Sequence, residues 1–192
     1  TRDALSTLLT NPGEAPEGER LFTEYSPQGF ASVALRLRDE RNPVDKGWQV
    51  ALRPLGASCS FERFPVRVEN VTGELRIDGR GVDVELAAER DGSPVRIQGE
   101  ALYQNIQDTG AGSLGIWVEA ERVALDDDLR HALGVFRPAL RDRWDELRPA
   151  GSAAATVALW RDPGESLYTY DVQVELAGAR LDPVKSPLLL ED

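Results

Sequence analysis

Only one cysteine, Cys59, and one histidine, His131, occur in the 192 residues. An internal disulfide is therefore impossible, and cysteine usage leaves the redox compartment open. No His/Cys cluster has metal-ligand spacing, and Cys59 has no plausible His partner in the sequence. No apolar run approaches the roughly 18 residues of a membrane helix. Basic residues are scarce, 22 against 33 acidic ones, and the net charge of −11 argues against nucleic acid as a partner, because phosphate binding needs a basic surface. The chain opens at Thr1 without Met, which leads us to expect an excised or processed piece of a longer protein.

Hydrophobic residues at 41% and charged residues at 29% describe a globular chain with enough apolar surface for a core. Residues 2–9, "RDALSTLL", predict a short helix ended by the loop "NPGEAPEGE". From Gly29 the pattern has period two. "FASVALRLR" places Val33, Leu35 and Leu37 on one face, and "GWQVALRPL" places Trp48, Val50 and Leu52. The runs "FPVRVEN", "GELRIDG", "GVDVELAAE" and "SPVRIQGEA" follow, separated by turn residues at Asn70, Gly73, Asp78-Gly79 and Asp91-Gly92. Their apolar positions are Val66 and Val68, Leu75 and Ile77, Val82, Val84 and Leu86, then Val95 and Ile97. "GSLGIWVEAERVAL" adds another strand. The expected fold is mainly β (α+β): a curved antiparallel meander with one apolar and one charged face.

A helical segment at 126–147 is the candidate cover. Leu129, Leu133, Phe136, Leu140, Trp144 and Leu147 recur at three- and four-residue steps, a single amphipathic stripe. Asp126, Asp127 and Asp128 suit an N-cap and first turn, and Pro138 predicts a kink or two short helices.

The chain then repeats itself. At an offset of 122, "FTEYSPQGFASVALRLR" (22–38) matches "WDELRPAGSAAATVALW" (144–160) at Glu24/Glu146, Pro27/Pro149, Gly29/Gly151 and Leu37/Leu159. "QVAL" (49–52) and "QVEL" (173–176) suggest a two-residue slip at the intervening turn. "PVRVEN" (65–70) then meets "PLLLED" (187–192) back at 122. The expectation is about one and a half copies of a unit near 122 residues, 1–125 and a truncated 126–192, the latter with its helical segment and strands over 151–192. The last strand, through Leu188, Leu189 and Leu190, is expected to pair with another sheet edge or to be poorly ordered.

These features resemble the repeating blocks of the AsmA-like and TamB-like bacterial envelope proteins: "FPVRVENVTGELRIDG", the closing strand "VRIQGEA", and "LDDDLRHAL…WDELRPAG" leading into a new strand. The resemblance covers most of residues 21–192, and its motifs are degenerate. It implies a long apolar β-groove in the periplasmic part of a membrane-anchored parent, through which phospholipid acyl chains pass, with adjacent repeats as neighbours. A sheet with one apolar face offers acyl chains a surface without specific contacts. The departure is the strong helix stripe, which can fill such a groove. A closed-core structural module, without ligand, is the alternative.

No catalytic constellation is evident, and no enzyme, cofactor or metal role is expected. His131 falls on the helix surface, and Cys59 in "ASCSF" reads as a small core residue. The aspartates at 126–128 lack the spacing of a calcium loop. "GAGSLG" (110–115) fits the dinucleotide pattern formally, but a strand follows it where a helix is required. "NVT" (70–72) is a glycosylation sequon, irrelevant in a bacterial source.

Overall fold

The computed structural model describes residues 24–37, 47–102, 112–165, 168–176 and 178–184. The opening helix at 2–9 and the tail with Leu188, Leu189 and Leu190 lie outside the described residues. Seven strands come first: β1 (Ala31–Leu37), β2 (Trp48–Pro54), β3 (Ala57–Phe61), β4 (Phe64–Asp78), β5 (Gly81–Arg90), β6 (Ser93–Leu102) and β7 (Ser113–Ala124). Two helices follow, α1 (Asp127–Phe136) and α2 (Pro138–Leu147), then β8 (Pro149–Ala150), β9 (Ser152–Arg161), β10 (Thr169–Glu175) and β11 (Arg180–Leu181). One antiparallel sheet runs in the order β1-β2-β4-β5-β6-β7-β9-β10, with β3 beside β4, and it does not close on itself. The mainly β expectation therefore holds. The sheet is continuous from β7 to β9, across residue 125, along nine residue pairs.

Local chemistry explains the hairpins. Asp91 and Gly92 both adopt positive φ, 51° and 74°, the two-residue turn whose twist suits a hairpin, and Arg90 faces Ser93 across it. At the β4–β5 turn the Asp78 carboxylate accepts the backbone N–H of Arg80 at 2.8 Å and of Gly81 at 3.3 Å.

Asn70 and Gly73 do not separate two strands. Residues 64–78 form a single 15-residue strand. Asn70 (φ 51°) and Gly73 (φ 110°) sit instead around a β-bulge, where the register against β5 shifts between Glu69 and Thr72. The Asn70 side chain donates to Glu89 on β5 at 2.8 Å, which holds the bulged strand in the sheet. The N-terminal half of β4 pairs with β3 and its C-terminal half with β2.

The helical segment divides, as Pro138 requires. Arg137 is extended (φ −151°, ψ 114°) and Pro138 opens α2, where its missing N–H costs nothing. Asp126 caps α1 by accepting from Leu129 N–H. Only Ala132 of α1 is fully buried, and α2 buries no residue. The stripe is thus a partial cover: Leu129, Leu133 and Trp144 are half-buried, whereas Phe136, Leu140 and Leu147 stay exposed.

The junctions from helix to strand coincide at an offset of 122. Ser26 and Arg148 both take left-handed φ (40° and 45°), a proline follows each, and Gly29 and Gly151 have φ 122° and 103°. Glu62 N–H reaches Glu24 O at 2.8 Å, and Val184 N–H reaches Glu146 O at 2.9 Å. Gln28 bridges Ser58, and Ala150 pairs with Arg180. The register of the following hairpins also coincides: adding 122 to both members of Leu37–Trp48 gives Leu159–Tyr170, and Val33–Leu52 gives Ala155–Val174. The two-residue slip suggested by "QVAL" and "QVEL" is therefore absent from the register. Backbone pairing aligns Val50 with Val172, where the letters had aligned it with Val174.

Candidate functional site

Cross-strand registers assemble the period-two residues into rows. Val33 lies opposite Leu52, then Leu75, Val84, Gly99, Ile116, Leu159 and Tyr170, so a single row crosses eight strands. A second row runs Leu35, Val50, Ile77, Val82, Ala101 and Leu114. A third joins Leu86, Ile97, Val118, Val157 and Val172. Leu37 faces Trp48 at the margin. Val95 belongs to the small core of Val71, Ala88 and Val95, against which Val68, Cys59 and Ala57 pack, while Val66 on β4 is half-buried. The registers thus align the other sequence-derived positions in shared rows, and Val68 and Val95 meet in the small core, whereas no register pair includes Val66. They add Ile116, Val118, Val157, Leu159, Tyr170, Val172 and Val174, whose alternation in "GIWVEA", "ATVALW" and "YDVQVE" was already legible.

Among the described residues no second layer seals these rows. Among the described residues no large side chain is fully buried, and the buried apolar set is Val50, Val71, Ala88, Val95, Ala132 and Ala153. On β1 and β10 every residue is exposed, Leu37 at 72% and Val174 at 57%. Most central row members are half-buried, each shielded mainly by its neighbours in the sheet.

Helix α1 crosses the face at one end. Arg90, the last apolar-face position of β5, is 6% exposed and donates twice through Nη2 to the Asp126 carboxylate, at 2.7 and 2.8 Å. Asp126 Oδ1 also caps α1, so one carboxylate fixes the helix start and pairs with a buried cation, which Asp91 approaches from its Nε side at 3.7 Å. Arg90 Nη1 has no partner among the described residues. At the far end of α1, the Phe136 ring meets Phe64 edge-on at 6.4 Å and Tyr170 at 6.2 Å. β4 and β10 are five strand positions apart, about 24 Å in a flat sheet at ~4.8 Å per strand. For both rings to touch Phe136, the flanks of the sheet curl toward the helix. The Arg137 guanidinium also lies 5.0 Å from the Tyr170 ring centre.

The opposite face carries charge. Glu74 pairs with Arg76 at 3.1 Å and Arg53 at 3.5 Å, and the Arg76 hydrogen bond in particular holds its carboxyl below the usual range. On the helices, Asp145 accepts from Arg130 at 2.6 Å, which lowers its pKa and ties α2 to α1.

His131 is exposed on α1. Burial pushes the Cys59 thiol up, Arg67 opposing weakly, which makes it a poorer nucleophile. The end of "GAGSLG", residues 113–115, already belongs to strand β7, where the dinucleotide pattern requires a helix N-terminus, and residues 110–111 lie outside the described residues. Among the described residues no cluster of His, Cys, Asp and Glu could hold a metal ion, and no helix is long and apolar enough to cross a membrane. Comparison with protein-family models, curated proteins and solved structures finds no match to this chain.

Proposed function

We propose that this chain is a repeat-built segment of a bacterial envelope protein, non-catalytic, whose curled apolar sheet face holds phospholipid acyl chains. The observation that carries this reading is the eight-strand row from Val33 to Tyr170, apolar throughout except for one glycine, on a face that no second layer seals among the described residues. Burying one methylene against such a surface is worth about 0.8 kcal/mol, so an acyl chain gains affinity with length and without directional contacts. The coincident junctions and hairpin registers at an offset of 122 support a unit of that length occurring about one and a half times. The periplasmic location and a membrane-anchored parent rest on the family resemblance alone.

A closed structural module is the second reading, favoured by the contacts of Phe136 with Phe64 and Tyr170, which place an aromatic plug over part of the face. Lipid extraction of the purified chain followed by mass spectrometry, with titration of a fluorescent fatty acid, separates the two. Lipid binding predicts co-purified phospholipid and saturable probe binding, weakened in Val84→Thr and Ile116→Thr. Absence of both co-purified lipid and probe binding would leave the module reading.

A further inference from the structure

The large sheet has two outer edges, β1 and β10, and among the described residues neither carries a strand on its outer side. Such edges present unpaired N–H and C=O groups and template further pairing. Most sheets blunt them with lysine, proline or bulges. Here neither strand contains Lys or Pro, and their shared hairpin registers run without a bulge. We propose that a second copy of this chain docks head to tail, its β10 pairing antiparallel with β1 and extending the sheet. This inference rests on the two edges and not on lipid binding.

Direction permits it. Neighbouring strands alternate along the eight-strand path, so β1 and β10 run in opposite senses, and a copy translated past the edge continues the antiparallel order. Faces also match. Setting Leu37 opposite Tyr170 places Leu35 opposite Val172 and Val33 opposite Val174, so the apolar face continues across the joint. A shift of one residue would put Val33 opposite Gln173 and break that continuity.

Charge selects among the possible edge pairings. In this register Arg36 of β1 lies opposite Asp171 of β10 on the polar face, a cross-strand pair of opposite sign. The two-fold alternatives lack it. β10 against β10, centred on Gln173, sets Asp171 against Glu175, and β1 against β1, centred on Ala34, sets Arg36 against Ser32. What occupies the equivalent position within the chain agrees with an apolar partner: β9, which matches β1 at an offset of 122, is covered on that side by β7, with Val118 opposite Val157 and Ile116 opposite Leu159. Because the contact joins two different edges, it propagates as an open array or a ring instead of stopping at a dimer. The net charge of −11 per copy opposes it, so added salt strengthens the association.

Sedimentation velocity on the purified 192-residue chain, across protein concentration and at low and high salt, tests this. The expected result is concentration-dependent growth beyond a dimer that increases with salt. Arg36→Glu and Asp171→Arg, both at exposed edge positions, each weaken it about tenfold by replacing attraction with repulsion. A 1:1 mixture of the two variants restores association, since each then offers the edge the other needs. Circular dichroism checks that both variants fold. A wild-type chain that stays monomeric throughout overturns the proposal. So does association that stops at a dimer, or that neither substitution changes, or that mixing fails to restore.

Discussion

Asp126 performs two tasks, and substitution separates them. Asp126→Asn keeps an N-cap acceptor for Leu129 N–H but removes the carboxylate facing Arg90, which is 6% exposed. Removing one partner of a buried ion pair typically costs 3–5 kcal/mol; because Asp126 itself remains 36% exposed, we expect about 2–3 kcal/mol here. Asp126→Ala also removes the cap, adding about 1 kcal/mol. Arg90→Met combined with Asp126→Ser removes both charges and keeps a capping hydroxyl, and should lie within about 1 kcal/mol of wild type, since an apolar replacement leaves no uncompensated cation. Urea denaturation monitored by circular dichroism reads these losses as midpoint shifts at constant slope. With a slope of about 2 kcal/mol/M, Asp126→Asn should unfold about 1–1.5 M earlier. A wild-type midpoint for Asp126→Asn would refute the reasoning. A double variant as unstable as Asp126→Asn would do the same, because the loss would then not come from a stranded charge.

Two further expectations concern acid and glycine. Asp145, held down chiefly by the hydrogen bond from Arg130, has a folded pKa below its unfolded one; Asp78 is also lowered, burial being outweighed by the hydrogen bonds from the Arg80 backbone and side chain and by its charge. A depressed carboxylate stabilises the fold above its unfolded pKa of about 3.9, and that contribution disappears as pH falls through the folded value. Acid titration should therefore show stability declining below about pH 4, with a shallower decline in Asp145→Asn. Gly73→Ala should destabilise by about 2 kcal/mol or more, because its φ is 110° and a Cβ would meet Glu85 O at 2.2 Å, whereas Gly164→Ala, with open space around it, should cost only the left-handed backbone penalty of about 1 kcal/mol. Thermal melts of the two variants compare them directly.

Elements whose cause is local were legible in the sequence. Asp91-Gly92 encodes its hairpin within two residues, Pro138 breaks its helix wherever the segment packs, and the alternation of β5 and β6 marks them as strands unaided. Asn70 and Gly73 misled because turns and bulges use the same residue types; only the strand opposite decides whether the chain reverses or merely swells. The slip at "QVAL" failed for a related reason: register is set by pairing across the hairpin, and four similar letters do not outweigh it. The Arg90–Asp126 pair spans 36 residues and has no short-range signature, although Arg90 does continue the apolar-face series of Val82, Val84, Leu86 and Ala88. The apolar stripe of the helices was legible but its coverage was not, because burial depends on where α1 lands, and it lands across one end of the sheet.

That no large side chain is fully buried among the described residues has a mechanical consequence. Within the described sheet there is no keystone: each inner strand is held by those beside it, and removing or inserting one changes the length of the object more than its principle of construction. Stability in such an object is local and nearly additive along one dimension, strongest in the middle strands and fading toward both margins. A protein built like woven cloth can be lengthened to span a distance, where one built like an arch can only be made larger.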